Sequence, residues 1–161
     1  MSFPRIFGAL SLMLVLTATG ALAQSGLPLP RFVSLRSGEA NMRTGPGEQY
    51  PIDWVLLRRG MPVKIVAEFG HWRKIEDFDG TVGWVHQALL SGQRTVVVTG
   101  EERTLRSEAT GWSAPVALLE PGVVAEVHTC ESDWCRVSAG GVSGWIRREE
   151  VWGLLPDEVI E

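Results

Sequence analysis

Two cysteines and a histidine are the residues whose types and spacing could first suggest chemistry. Cys130 and Cys135 are separated by four residues, and His128 precedes them. These three side chains could be ligands of a metal ion, but a fourth ligand is not evident. If Ser132–Asp133 forms a two-residue turn, the cysteines instead lie opposite each other on paired strands, at a spacing that a disulfide accepts. We expect this disulfide, and no redox-active pair, since no C-x-x-C stands at a helix start.

The disulfide requires an irregularity in the strand that precedes Cys130. The alternation of residues 123–129 puts Cys130 out of parity with the side chains that face inward. A β-bulge or an irregular turn is therefore needed before the cysteine. The enclosed loop is small, so we expect the bond to add about 2 kcal/mol at most.

The glycine-rich loop Arg43-Thr44-Gly45-Pro46-Gly47 could in principle hold a phosphate. It lacks the GxxxxGK[ST] spacing of a phosphate-binding loop, and no helix follows it. We expect its two glycines to supply φ > 0 conformations around a turn that the proline fixes. The loop could be a structural turn or could contact a ligand directly, and both interpretations stay open.

Aromatic residues near this loop could form a binding surface. Tyr50 follows the loop and combines an apolar ring with a hydroxyl, which suits a peptide or a glycan. Trp54 alternates in phase with Ile52 and Leu56, so we expect it in the core. Trp72 opens a strand just after a turn, and we expect it to be partly exposed at the rim of any groove.

The expected burial of three other tryptophans also follows from their positions in the predicted strands. Trp134 also opens a strand after a turn and should be partly exposed. Trp84 and Trp145 each follow a glycine that allows close backbone approach, and we expect both rings in the core.

The carboxylates and the three histidines do not form a recognisable catalytic set. Asp77 and Asp79 lie in the predicted turn Asp77–Gly80, where Asp is common, and Asp133 also falls in a predicted turn. No acid–base pair has a partner that would tune it. We therefore expect no enzyme activity, no catalytic residue, no cofactor and no metal.

Short strands broken by turns position these residues. Residues 63–69 alternate mostly as a half-buried strand, and Trp72–Ile75 starts the next strand after a turn. Residues 81–85 form a further strand, and residues 86–90 suit one short helical turn. No segment shows a sustained helical stripe. Several strands in about 60 residues, with frequent glycines, predict an all-β fold built from small closed barrels.

The sequence is duplicated with a period near 62 residues. Arg43 corresponds to Arg106 at an offset of 63, Trp72 to Trp134 at 62, and Gly83 to Gly144 at 61. The duplication predicts two domains, 31–92 and 93–154, followed by a C-terminal tail at 155–161. Residues 93–99 contain three consecutive valines and are expected to form a strand running between the units, which could share an interface.

The N-terminal 23 residues have the pattern of a secretory signal peptide. Arg5 precedes an apolar run at residues 6–16, and Ala21-Leu22-Ala23 gives the small-residue end. The apolar run is too short to span a bilayer of about 30 Å. We expect cleavage between Ala23 and Gln24, export to the periplasm, and no transmembrane segment in the mature chain.

Charge is distributed unequally between the two units. Residues 31–98 contain nine basic and seven acidic side chains, whereas residues 99–161 contain five basic and twelve acidic ones. An acidic second half disfavours nucleic acid and anionic membranes, because both reward clustered Lys and Arg.

The segments Asn41–Gly47, Tyr50–Ile52 and Gly83–Val85 together resemble the bacterial SH3 (SH3b) family. The closer resemblance is to exported, tandem SH3-like proteins of proteobacteria, through residues 81–95 and through the cysteine hairpin at 130–137. It covers nearly all of residues 31–154. The resemblance implies a non-catalytic binding module made of two tandem SH3-like β-barrels after the signal peptide. In the second repeat Ser107-Glu108-Ala109 replaces the Thr-Gly-Pro-Gly segment.

From the resemblance we expect a ligand in the cell envelope, either peptidoglycan or an envelope protein or peptide. The expected contact residues lie in the first barrel: Arg43, Thr44, Gly45, Pro46, Gly47 and Tyr50, with Trp72 at the rim. The alternative is a structural adaptor that recognises only protein and uses the acidic second barrel as its docking face.

Overall fold

The computed structural model describes residues 25–161, and this range is all-β, as the sequence predicts. The signal-peptide prediction and its cleavage site fall outside the described residues. The first half contains seven strands: β1 Arg31–Leu35, β2 Ala40–Arg43, β3 Ile52–Leu56, β4 Pro62–Phe69, β5 Trp72–Glu76, β6 Val82–His86 and β7 Leu90–Ser91. A 3₁₀ turn at Gln87–Leu89 separates the last two.

The second half repeats this order: β8 Thr95–Val98, β9 Arg103–Arg106, β10 Pro115–Leu119, β11 Val124–Glu131, β12 Trp134–Ala139, β13 Val142–Arg147 and β14 Val151–Trp152. A 3₁₀ turn at Arg148–Glu150 precedes its last strand. The first sheet has the order β3-β2-β6-β5-β4-β1-β7, and the second has β10-β9-β13-β12-β11-β8-β14. The two sheets therefore have the same topology, and the predicted duplication is confirmed.

Each sheet curls around its own apolar core. The first core includes Met42, Val63, Ile65, Ile75 and Val85. The second core contains the matching aliphatic residues, among them Leu105, Ala125, Val127, Val137 and Ile146. In both, the inward residues alternate along the long central strands, which is the pattern expected of half-buried strands.

Gly83 and Gly144 let neighbouring strands approach these cores closely. A Cβ on Gly83 would lie 2.9 Å from Met42 Sδ, and one on Gly144 would lie 2.6 Å from the Arg106 carbonyl oxygen. The prediction for these two glycines is confirmed, but the prediction for the tryptophans after them is wrong. Trp84 and Trp145 are only half-buried. Alternation places Val85 and Ile146 inside, so each ring lies on the outer face.

The strand predicted between the units belongs to the second barrel. β8 pairs with β11 and β14, and all four of its residues are buried. Val96 and Val98 belong to the second core, whereas Thr95 contacts the first barrel. Thr95 Oγ1 donates to the Gly60 carbonyl oxygen at 2.6 Å.

A second contact between the barrels is aromatic. The rings of Phe32 and Trp152 meet edge to face, with centroids 4.8 Å apart. Phe32 and Thr95 are equivalent positions of the two repeats, at the 63-residue offset that relates Arg43 to Arg106. The same place in each barrel therefore faces the other barrel.

Candidate functional site

The loop between β2 and β3 is held by Arg43. Its Nη1 donates to the carbonyl oxygens of Glu48 at 3.2 Å and Tyr50 at 2.7 Å. The backbone closes the loop further, since Thr44 N–H donates to the Pro51 carbonyl at 3.1 Å. Arg43 thus contributes to the shape of the loop, while Thr44 is exposed at its surface.

Gly45 and Gly47 do not have the positive φ angles that the sequence suggested. The reason for glycine at these positions is space. A Cβ on Gly45 would lie 2.5 Å from Cε1 of Tyr50, and one on Gly47 would collide with the side chain of Gln49. Both glycines are buried, whereas Pro46 between them is half-buried. The loop is therefore packed around its glycines.

Tyr50 caps this packed loop and presents part of its ring to solvent. Its ring lies against Gly45, and 39% of the residue remains exposed. Such a ring is held in place yet accessible, so it can contact a ligand without much loss of conformational entropy.

A depression beside the loop, which we call groove 1, has a volume of about 170 Å³. It is lined by Asn41, Arg43, Glu48, Trp72, His86 and Leu89. The structure thus brings together Arg43 and Trp72, two of the residues chosen from the sequence. Tyr50 is on the neighbouring loop, and its backbone carbonyl is bound by Arg43.

Trp72 and two histidines form an aromatic cluster at this groove. The rings of Trp72 and His86 meet edge to face with centroids 5.4 Å apart, and the rings of His71 and His86 are 5.9 Å apart. His86 Nδ1 accepts a hydrogen bond from the Ala88 N–H at 3.2 Å, and His71 Nδ1 lies 3.0 Å from Gln87 Nε2. Trp72 is half-buried, which confirms its predicted partial exposure.

The prediction that Trp54 belongs to the core is wrong. Trp54 is 57% exposed, and Ile52 in the same strand is 46% exposed. The alternation test fails because β3 is the edge of its sheet and pairs only with β2 among the strands of that sheet. An edge strand can leave both faces in solvent, so its alternation does not report an inward face.

The second barrel has a matching depression, which we call groove 2, with a volume of about 260 Å³. It is lined by Glu102, Arg103, Thr104, Arg106, Gly111, Trp134, Arg147 and Glu150. Arg106 Nη1 donates to the Ser113 carbonyl at 2.9 Å, as Arg43 does to Tyr50 in the first barrel. The Arg147 guanidinium lies over the Trp134 ring, 4.9 Å from its centroid.

Sequence reasoning missed groove 2, although a signal for it was present. The repeat offsets relate Arg43 to Arg106, Trp72 to Trp134 and His86 to Arg147. Applying these offsets to the groove residues of the first barrel would have marked the second. The groove is hard to recognise in the sequence because the Ser107–Ala109 segment replaces the Thr-Gly-Pro-Gly loop and because this half of the chain is acidic.

The predicted disulfide between Cys130 and Cys135 is present, and both residues are fully buried. Glu131 pairs with Trp134 across the two-residue turn Ser132–Asp133, and the cysteines are the next pair in register. The expected bulge lies between Val127 and Thr129. His128 points elsewhere, with its Nε2 2.8 Å from Ser138 Oγ, so the three-ligand metal alternative is wrong.

The first barrel has an ion pair at the position of this disulfide. Glu68 and Arg73 are partners in register, 62 residues before the two cysteines. Glu68 Oε1 lies 3.3 Å from Arg73 Nε and 2.6 Å from Arg31 Nη2, and its side chain is inaccessible to solvent. Ser25 also donates to Glu68, from its N–H and its hydroxyl, both at 2.8 Å.

These contacts fix the ionisation of Glu68. Burial raises the pKa of this carboxyl, but hydrogen bonds from Arg31 and Ser25 and the charge of Arg73 outweigh it, and the pKa falls from 4.5 to about 2. Glu158 in the C-terminal segment is similar. Burial raises its pKa, whereas hydrogen bonds from Arg94 and Leu155 and the charges of Arg94 and Arg148 lower it, and the net shift is downward.

Asp77 has a structural role in its turn. Its Oδ1 accepts hydrogen bonds from the N–H groups of Asp79 at 3.1 Å and Thr81 at 2.8 Å. Gly80 follows with φ +83°, which favours glycine. Within residues 25–161, His, Cys, Asp and Glu side chains do not gather in groups of three that could hold a metal ion. Helices long and apolar enough to cross a membrane are also absent from this range.

The chain is similar in sequence to a curated protein. The chain is 27% identical over 128 residues to a protein of Bacillus subtilis (strain 168) named "Putative N-acetylmuramoyl-L-alanine amidase YrvJ". The match covers 73% of this chain and 24% of the relative, so the chain spans about a quarter of the relative's length.

Two solved structures from Trichomonas vaginalis also align with the chain. NlpC2 is 11% identical, and the match covers 76% of this chain and 47% of that one. NlpC1 is 12% identical, with 86% and 50% covered. Both have a TM-score of 0.35, which is too low to support a conclusion.

The family model for the bacterial SH3 domain matches residues 36–92 and again residues 99–153. Each match spans most of one barrel and includes the tryptophan and arginine of its groove. Because the two matches together cover more than half of the sequence, the chain belongs to the bacterial SH3 domain family.

Proposed function

We propose that this protein is a non-catalytic binding protein of the bacterial cell envelope whose first barrel recognises peptidoglycan. The observation that carries the proposal is groove 1, which is lined by the half-buried Trp72 and by Arg43, the residue that holds the loop with the partly exposed Tyr50. An aromatic ring that is both held and accessible is typical of surfaces that bind peptides and glycans. The relative from Bacillus subtilis is named for an amidase of N-acetylmuramoyl-L-alanine, which is a peptidoglycan linkage.

The polar side chains of groove 1 support binding over catalysis. Arg43 Nη1 is used by two loop carbonyls, and His86 Nδ1 accepts from the Ala88 backbone. A catalytic histidine would instead need a free ring nitrogen beside a nucleophile, with the other nitrogen oriented by a partner. Groove 1 contains no Ser, Thr or Cys side chain in its lining.

We further propose that the mature protein begins at Gln24 and resides in the periplasm. The pattern of residues 1–23 and the Cys130–Cys135 disulfide both support export, because disulfides persist in oxidising compartments. Mass measurement of the protein recovered from a periplasmic extract tests the cleavage site. A mass that includes residues 1–23 would contradict it.

Sedimentation with purified peptidoglycan sacculi tests the ligand. We expect Trp72→Ala and Tyr50→Ala each to reduce retention at high salt by about tenfold, since truncating a central aromatic commonly costs more than 1.4 kcal/mol. Phe69→Ala is the matched control, because Phe69 is 60% exposed on the β4–β5 hairpin and does not line groove 1. If wild type is not retained, the peptidoglycan proposal fails, and the protein adaptor with the acidic second barrel as docking face is favoured.

A further inference from the structure

Groove 2 concentrates arginine in the most acidic part of the molecule. Residues 99–161 contain five basic and twelve acidic side chains, yet three of the five basic ones line this groove: Arg103, Arg106 and Arg147. Arg103 is paired with carboxylates, because its Nη1 lies 3.1 Å from Glu101 Oε1 and 4.0 Å from Glu150 Oε1. Glu150 also accepts the Arg147 backbone N–H at 3.0 Å. Among the described residues, Arg106 and Arg147 are therefore the two cations of this lining that form no ion pair.

The Arg147 guanidinium is positioned without being neutralised. Trp134 and Arg147 are partners in register on β12 and β13, and the guanidinium lies over the indole ring at 4.9 Å. Within residues 25–161 no acceptor is hydrogen-bonded to the guanidinium N–H groups of Arg147, although its backbone N–H donates to Glu150. A stacked guanidinium keeps its planar fork of donors free for a ligand at the groove.

Arg106 is fixed in a similar way. Its Nη1 donates to the Ser113 carbonyl, which leaves the Nε and Nη2 donors available at groove 2. Arg106 on β9 pairs in register with Trp145 on β13, and Arg147 lies two residues after Trp145 on β13. Alternation therefore places Arg147 on the same outer face as Trp145.

Trp112 lies in the loop that supplies Gly111 to this groove. It is 97% exposed, and its neighbours in sequence are Gly111, which lines groove 2, and Ser113, which Arg106 holds. A tryptophan so exposed, in a loop that also supplies a groove residue, is typical of a recognition surface, since aromatic and arginine side chains dominate binding energy.

We propose that groove 2 binds the free carboxylate of a peptide, with Arg147 and Arg106 donating to the carboxylate and Trp112 covering the adjacent apolar side chain. The guanidinium fork matches a carboxylate in two parallel hydrogen bonds. The acidic surroundings argue for a single negative charge over a polyanion. The surrounding carboxylates would repel a ligand carboxylate only weakly, because charges more than about 8 Å apart are screened at physiological ionic strength. A polyphosphate chain would extend over more of these carboxylates, so the repulsion would add up along it. The site is separate from groove 1 and shares no lining residue with it.

Titration of the full mature chain with N-acetyl-alanyl-alanine, followed by NMR of the tryptophan indole N–H groups, tests this site. We expect shifts at Trp134 and Trp112, and at least tenfold weaker binding of the same peptide with an amidated C-terminus. Arg147→Gln should weaken binding of the free acid about tenfold. The matched control is Arg59→Gln, which removes the same charge from an exposed residue outside both grooves, and it should change binding by less than about twofold.

Three results would overturn the proposal. They are equal binding of the acid and the amide, shifts confined to Trp72 and Trp84 of the first barrel, and binding of inorganic phosphate with saturation at Trp134 while the peptide leaves that signal unmoved. None of these depends on sacculus binding. Loss of peptidoglycan retention with intact carboxylate binding would disprove the function proposed for groove 1 alone.

Discussion

The hairpins β4–β5 and β11–β12 have the same register and the same bulge position but close in chemically different ways. In the first, Glu68 faces Arg73; in the second, Cys130 faces Cys135 at the equivalent pair. A segment outside the strands contacts each cross-link: Ser25 donates to Glu68, and Ile160 pairs with the Cys130 backbone. Both copies of the fold have a cross-link at this point of the hairpin, an ion pair in the first and a covalent bond in the second. The ion pair should make the β4–β5 hairpin sensitive to pH, and the disulfide should make the β11–β12 hairpin sensitive to reductant.

Of the changes to the two hairpins, removing the charge of Glu68 should lower the free energy of unfolding most. Glu68→Gln leaves Arg73 and Arg31, which are 9% and 16% exposed, without their shared carboxylate, and should cost about 3 kcal/mol of unfolding free energy. Hydrogen exchange resolved by peptide should show faster exchange in β4 and β5 than in β11 and β12. Glu76→Gln is the control, since its pair with Lys64 is more exposed and should be worth less than about 1 kcal/mol. Equal costs for the two variants would contradict the role of Glu68.

Acid should weaken the first hairpin through the same residue. The pKa of Glu68 is about 2 in the folded chain and 4.5 ordinarily. Its stabilisation is therefore fully present above about pH 4.5 and is lost as the pH falls toward about 2. Exchange in β4 and β5 should accelerate between about pH 5 and pH 3 more steeply in wild type than in Glu68→Gln. The pKa of Glu158 is also lowered, so Glu158→Gln must be run in parallel to separate the contribution of the second barrel. Identical slopes for wild type and Glu68→Gln would refute the assignment.

Breaking the disulfide should have the next largest effect, in the other barrel. Cys130→Ala with Cys135→Ala should cost about 2 kcal/mol, because the bond closes a short loop and constrains the unfolded chain modestly. Reductant should reproduce the loss in wild type and leave the double variant unchanged. Amide exchange in β4 and β5 serves as the internal control and should not respond to reductant. A response of equal size in both barrels would mean that the two hairpins do not unfold separately.

The equivalence of Glu68 with Cys130 could have been found from the sequence, whereas the character of each groove could not. Repeat offsets and a two-residue turn are enough to place Cys130 opposite Cys135, because register in a hairpin follows from its turn. The same reasoning failed for Trp54, since alternation cannot tell an edge strand from a central one. It also failed for Gly45, where the constraint is the ring of Tyr50 and not the backbone angle. The exposure of Trp54 and the need for glycine at position 45 both depend on neighbours that only the folded chain brings together.

The contact between the barrels offers the smallest and most local test. Phe32 and Thr95 occupy equivalent positions, but one makes an aromatic contact with Trp152 and the other donates a hydrogen bond to the Gly60 carbonyl. Thr95→Val keeps the shape of the buried side chain and removes only the donor, so it should cost about 1 kcal/mol. Thr81→Val is the control, because it removes a hydroxyl from a turn of the first barrel away from this contact.

Urea unfolding followed by tryptophan fluorescence measures both variants. If the hydrogen bond couples the barrels, Thr95→Val should lower the stability of both, with faster exchange in β8 and at residues 58–62. An effect confined to β8 would mean that Thr95 stabilises only its own barrel. The two barrels would then be neighbours in contact whose stabilities are independent, and the different sensitivities of their hairpins would act on each barrel alone.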